Sequence, residues 1–142
     1  MNEVIKVKSG SKFEDQNSYS RVVVAGDFIF VANTAGRNYT TREIADNVTG
    51  QAVQAFKNIE GALAAVDITV KDIIAVRCHV PNPDHMGDVG KFVGEKFRGI
   101  DPIMTMVCTP LAHHDMLVEF EVTAYRRRDP NAEEKRIRIQ LA

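Results

Sequence analysis

Leu117-Val-Glu-Phe-Glu-Val-Thr-Ala-Tyr125 is the stretch that most constrains the fold of this 142-residue chain. It alternates with period 2, as a half-buried strand does. Val118, Phe120 and Val122 form an apolar face, and Glu119 and Glu121 project from the other. Two carboxylates on the second face need solvent, a cation or a partner surface, because an unpaired buried charge is costly. Asp101-Pro-Ile-Met-Thr-Met-Val-Cys-Thr109 alternates in the same way, with Met104, Met106 and Cys108 on one face. The loop between the two runs, Pro110 to Asp115, carries the adjacent histidines His113 and His114. A vicinal pair in a loop is ordinarily solvent-exposed; its chemical use would be acid–base work near neutral pH. No histidine–carboxylate spacing of the kind that holds zinc is present, and no cofactor is expected.

The rest of the chain supplies partners for these strands. Residues 2–8 alternate around Ile5 and Val7 as a short edge strand, and Ser9 to Ser20 is polar and turn-rich. Arg21–Ala25 and Phe28–Ala32 flank Gly26-Asp27 as a hairpin. Asn33 to Thr41 follows as a polar loop. Between Asn47 and Val66 the period changes to that of a helix, with Ala52, Phe56, Ile59, Leu63 and Val66 on the apolar stripe and Gln51, Gln54, Lys57 and Glu60 off it. Asn47 or Thr49 caps its start.

Ile73–Val80 returns to strand spacing, with Arg77 and His79 on the face opposite Val76, Cys78 and Val80. Asp84–Phe97 is a second helix, striped by Met86, Val89, Val93 and Phe97. It also carries Gly87, Gly90 and Gly94 on one face, read either as a poor helix held by packing or as room for a close neighbour. Two helices against one mixed sheet make an α+β domain over residues 1–128. Residues 129–142 are a C-terminal extension whose alternating end either pairs with a sheet edge or stays unstructured.

A formal net charge of −1 argues against a nucleic-acid partner, and no apolar run reaches membrane-spanning length. Cys78 and Cys108 lie in apolar runs outside any CxxC pair, as reduced thiols of a cytoplasmic protein.

In order and punctuation the chain resembles the Rid/YjgF family, the reactive-intermediate deaminases also known as L-PSP endoribonuclease-like proteins. Tyr19-Ser with Val24-Ala-Gly-Asp-Phe-Ile-Phe-Val31, the helix residues Gln51, Gln54 and Asn58, Val70–Val76, Asp101–Val107 and Leu117–Tyr125 carry the likeness. The resemblance implies a chorismate-mutase-like fold with a six-stranded sheet and two helices on one face. It also implies a homotrimeric barrel with small-metabolite clefts at the subunit interfaces. On the family's pattern Glu119 is the catalytic, water-positioning carboxylate. Tyr19, Asn33, Gly90, Met104 and Met106 fall at or beside ligand-facing positions, and Arg37 lies on the loop that follows Asn33.

The family's carboxylate-anchoring arginine is Met104 here, and methionine cannot replace a guanidinium. Hydrolysis of 2-aminoacrylate in the usual way is therefore not expected, and an anionic ligand needs another cation: Arg21, Arg37 or Arg77. Arg77 shares a sheet face with the two glutamates and is expected to neutralise one of them, which leaves Arg37 as the better clamp. Two readings stand, a hydrolase or deaminase for an enamine or imine and a non-catalytic small-ligand-binding trimer in which methionine gives adaptable apolar contact. The ribonuclease role of the older family label fits worst.

Overall fold

Alternating runs bury one face only if they pair in register, and here six of them do. The structure, a computed structural model, describes residues 3–141. The strands are β1 (Val4–Val7), β2 (Val22–Ala25), β3 (Phe28–Ala35), β4 (Ile73–Val80), β5 (Ile103–Cys108) and β6 (Glu119–Tyr125). They form one sheet in the order β1-β2-β3-β6-β4-β5. β4 and β5 are parallel and every other pair is antiparallel. A parallel pair needs a crossover, and α3 (Met86–Lys96) provides it. The expected start of β1 at Asn2 and the final residue Ala142 lie outside the described residues.

The long helix α2 (Val48–Ala64) begins where the sequence suggests. Asn47 is its N-cap, and the Asn47 side chain accepts from Gly50 N at 2.7 Å. α2 and α3 cover one face of the sheet. Between them Phe56 meets Phe120, Phe92 and Phe97, at ring-centroid separations of 4.9, 5.5 and 5.6 Å. Val22, Ile29, Val76, Cys78, Phe120 and Val122 point into the same core. Burial pushes the Cys78 thiol up to about 12, so it stays a neutral core residue. Cys108, at the outer edge, is exposed.

Three sequence expectations need correcting. Ser9–Ser20 is not only turns: Lys12–Gln16 forms the short helix α1, capped by Ser11, and the described residues hold three α-helices rather than two. β3 does not stop at Ala32 but runs on to Ala35. Gln51, read as lying off the apolar stripe, is buried. The extension shows no strand over 129–141; it crosses the sheet end where β4 and β5 begin, and Arg136 donates to Asp101 and, at 2.9 Å, to Gly99 O.

The glycine stripe of α3 is open within the chain. A Cβ added at Gly87 or Gly94 would meet nothing within 4 Å, and one at Gly90 would lie 3.9 Å from Met106 Cε. The tight glycine is Gly36, where an added Cβ would stand 2.1 Å from Gln51 O, a backbone atom of α2. Gly36→Ala is therefore expected to cost on the order of 3 kcal/mol by forcing β3 off the helix. Gly90→Ala should instead stabilise by about 1 kcal/mol, while Gly90→Leu should damage the groove beside Met106. Chemical denaturation of the three variants distinguishes these outcomes.

Candidate active site

One extra residue in β3 creates the site. The β3–β6 register runs Val31↔Val122 and then Thr34↔Phe120, three steps against two. Such a bulge switches which residues face which way. Thr34 takes the inward position, 1% exposed, and Asn33 comes to the uncovered face beside Glu119. Asn33 Nδ2 donates to Glu119 Oε2. Without the bulge, Asn33 would continue the inward series of Ile29 and Val31.

Glu119 stands in a cavity of about 440 Å³ whose wall includes Tyr19, Asn33, Arg37, Tyr39 and His113. Burial raises the Glu119 carboxyl above its ordinary value, against the opposing pull of Arg21, His113 and the Asn33 hydrogen bond. A carboxyl whose proton is held more tightly by desolvation, and whose position is fixed by one amide, is suited to proton transfer. Burial raises the Tyr39 phenol as well.

Three segments build the wall. The first is α1, which buries Glu14 completely. Ser9 N donates to Glu14 at 2.8 Å and Ser9 Oγ donates to its other oxygen. Arg21 Nε and Nη2 each donate to Glu14 Oε2 at 3.3 Å. The second is a small hairpin after β3, closed by an Arg37–Ile44 bridge and by Asn38 N donating to Glu43 O at 2.9 Å. The third is the histidine loop, tied to α2 by Gln51. Its Nε2 donates to Asp115 O at 2.7 Å and its Oε1 accepts from Leu117 N at 2.7 Å.

Of the residues expected at the site, Tyr19, Asn33, Arg37 and Glu119 come together here. Gly90, Met104 and Met106 do not. Met104 and Met106 are in register with Val76 and Cys78, on the helix-bearing face of edge strand β5, while Glu119 is in register with His79 on the other face. Met104 is 48% exposed at that edge.

The candidate cations divide as follows. Arg21 is committed to Glu14. Arg77 Nε lies 3.2 Å from Glu121 Oε1, the neutralising role expected of it. Arg37 Nη1 donates to Arg42 O at 2.9 Å, and its Nη2 is 3.6 Å from Asp115. His113 and His114 are exposed, and His113 stands in the cavity wall. Glu14, Tyr39 and Arg42 escaped the sequence reading because each sits in a polar stretch without periodicity. Among the described residues, no group of three or more His, Cys, Asp or Glu side chains is placed to hold a metal ion.

The Glu14–Arg21 pair has a consequence for stability. Burial alone would raise Glu14, but the Ser9 bonds and Arg21 outweigh it and hold the carboxyl below its ordinary value. A lowered folded-state value means stability present above the unfolded value and lost as pH falls through the folded one. Glu14→Gln leaves a buried guanidinium without its counter-charge and should cost about 3 kcal/mol or more at pH 7. Urea melts from pH 7 downward should show this difference narrowing as the wild-type carboxylate takes up its proton.

Comparison with known proteins bears on this geometry. Residues 9–126 match the Endoribonuclease L-PSP family. A RutC family protein of Pyrococcus horikoshii is 27% identical over 127 residues, 89% of this chain and 99% of its own length. A structure from Mycobacterium tuberculosis, described as a member of the YjgF/YER057c/UK114 family, superposes with a TM-score of 0.79. It is 32% identical and covers 87% of this chain and 99% of the other. Yeast Mmf1 shares the fold alone, at 16% identity and a TM-score of 0.76 over 88% of this chain and 100% of its own.

Proposed function

Since the chain belongs to the Endoribonuclease L-PSP family, also called YjgF/Rid, we propose that it is a divergent hydrolase of this group acting on an enamine or imine other than 2-aminoacrylate. The observation that carries the reading is Glu119: a carboxyl raised by burial, fixed by Asn33, and open to a cavity large enough for a small metabolite. In this mechanism Glu119 takes a proton from a water as that water adds to the C=N carbon. It returns that proton to nitrogen to give the carbinolamine, then takes the carbinolamine hydroxyl proton and passes it to nitrogen as the C–N bond breaks, so that ammonia or an amine departs and a carbonyl is left. No external reductant or metal enters the balance.

We further propose a homotrimer. Phe28 and Phe30 are 44% and 47% exposed on the uncovered sheet face, beside the Arg77–Glu121 pair and His79, whose Nδ1 has no hydrogen-bond partner among the described residues. A face so apolar and so incompletely satisfied is suited to burial between copies. The same packing would bring Gly90, Met104 and Met106 of one copy toward the Glu119 cavity of the next. The second reading, a binding trimer without catalysis, draws its support from Met104, an adaptable apolar side chain where the family pattern has its anchor.

Ammonia release from a panel of imines, followed in a coupled assay with the wild-type chain and with Glu119→Gln, separates the two. The hydrolase reading expects turnover lost by at least a hundredfold in the variant, and negligible turnover of 2-aminoacrylate by either. Activity indifferent to Glu119→Gln contradicts Glu119 as the proton carrier, and none above the blank with any imine favours the binder. Sedimentation equilibrium should give a mass of three chains; a monomer at micromolar concentration contradicts the assembly.

A further inference from the structure

We propose that Arg42 is the anion anchor of this cavity, so that one chain supplies both the anchor and Glu119 to the same site, and that the ligand is a carboxylate carried on a flat, ring-sized body. The inference rests on the Glu119 cavity as the ligand site but not on any catalysis there.

Three guanidinium groups line the cavity: Arg21, Arg37 and Arg42. Arg21 is spent, with Nε and Nη2 on Glu14 and Nη1 on Asn33 O and Thr34 Oγ1 at 3.3 and 3.4 Å. Arg37 faces Asp115 and the Arg42 carbonyl. The Arg42 side chain has no acceptor among the described residues, and it is the remaining charge available to a ligand.

Its backbone, in contrast, is held on both sides. Arg42 N donates to Asn38 O at 2.9 Å, and Arg42 O accepts from Arg37 Nη1 at 2.9 Å. The residue has a φ of 68°, in the left-handed region that a non-glycine residue rarely adopts. Asn38 Oδ1 braces the same turn, accepting from Thr40 N and Thr41 N at 2.9 and 3.0 Å. A pinned, strained backbone under an unpaired guanidinium is the arrangement of a pre-organised clamp.

The remaining wall gives the ligand's body. Phe13, Tyr19 and Tyr39 contribute three aromatic rings, and Phe13 and Tyr39 are 43% and 47% exposed within the chain. Flat apolar surface between rings suits a planar, conjugated or aromatic skeleton. Glu119 repels the anionic end, so the carboxylate lies toward Arg42 and a nitrogen-bearing end toward Glu119. A planar fork bound in bidentate fashion also selects a carboxylate over its amide.

The test uses the full chain with 4-aminobenzoate as probe and 4-aminobenzamide as its uncharged isostere, both measured by calorimetric or NMR titration. The expected result is carboxylate binding at least tenfold tighter than amide binding. Arg42→Gln should remove that preference while leaving amide affinity within about twofold, with Arg42→Lys intermediate. Lys57→Gln, exposed on α2 and outside the cavity, should leave both unchanged. Thermal melts confirm that the Arg42 variants fold, since the bonds that hold residue 42 use its main chain.

Equal affinity for the two probes overturns the proposal, as does no binding of either. Carboxylate preference that survives Arg42→Gln overturns it too. The hydrolase reading fails separately: Glu119→Gln should keep the carboxylate preference, so Arg42-dependent binding without imine turnover would sink that reading and leave this one standing.

Discussion

The close passage of β3 over the first turn of α2 is the constraint on which the site depends. Gly36 lets the two backbones approach so nearly that no side chain fits between them. Once they are that close, the buried Gln51 side chain reaches in three directions. It donates to Ala45 O at 2.8 Å and to Asp115 O at 2.7 Å, and it accepts from Leu117 N. Asn58, two turns along the helix, donates to Ala35 O and Arg37 O at 3.1 and 2.8 Å. Two amide side chains on one helix thus fasten the end of β3, the small hairpin and the histidine loop. A buried amide satisfied this fully is rigid as well as stable. The cavity is defined by these polar fasteners, while the aromatic cluster around Phe56 holds the layers together beneath it.

Around that cavity two carboxylates meet opposite electrostatic fates. Glu14 is sealed in with Ser9 and Arg21, and those contacts overcome the cost of burial. Glu119 has an amide from Asn33 and only more distant positive charge, so burial wins and the proton is held more tightly. The distinction is the one that separates a structural ion pair from an acid–base group. It also explains why Arg21, a cation inside the cavity wall, does not serve as an anchor.

Much of this was legible in the sequence. Strict alternation in Leu117–Tyr125 identified the buried face of β6 and the outward Glu119 and Glu121. The helical period from Asn47 placed α2 and its cap, and Arg77 could be matched to a carboxylate across the sheet. What escaped has particular causes. A bulge adds one residue without altering composition, so the turn that brings Asn33 to Glu119 left no trace in the pattern. Glu14 lies in a polar stretch whose single buried carboxylate looks like its solvated neighbours. Gln51 is polar and sits off the apolar stripe by spacing, yet the loops that pack over it bury it. The hairpin holding Arg42 has no Asn-Gly turn to announce it, resting on the Arg37–Ile44 bridge and on side-chain bonds of Asn38 and Arg37.

The central claim is that β3's bulge and the surrounding burial make Glu119 a proton-transfer group. A site-resolved carbon NMR titration of the Glu119 side-chain carboxyl in the ligand-free protein tests it directly. The account predicts a midpoint above the ordinary glutamate value of 4.5, moving higher still in Asn33→Ala, because the amide bond that favours the charged form is gone. A Glu119 that titrates at or below the ordinary value, and is indifferent to Asn33→Ala, would contradict the account.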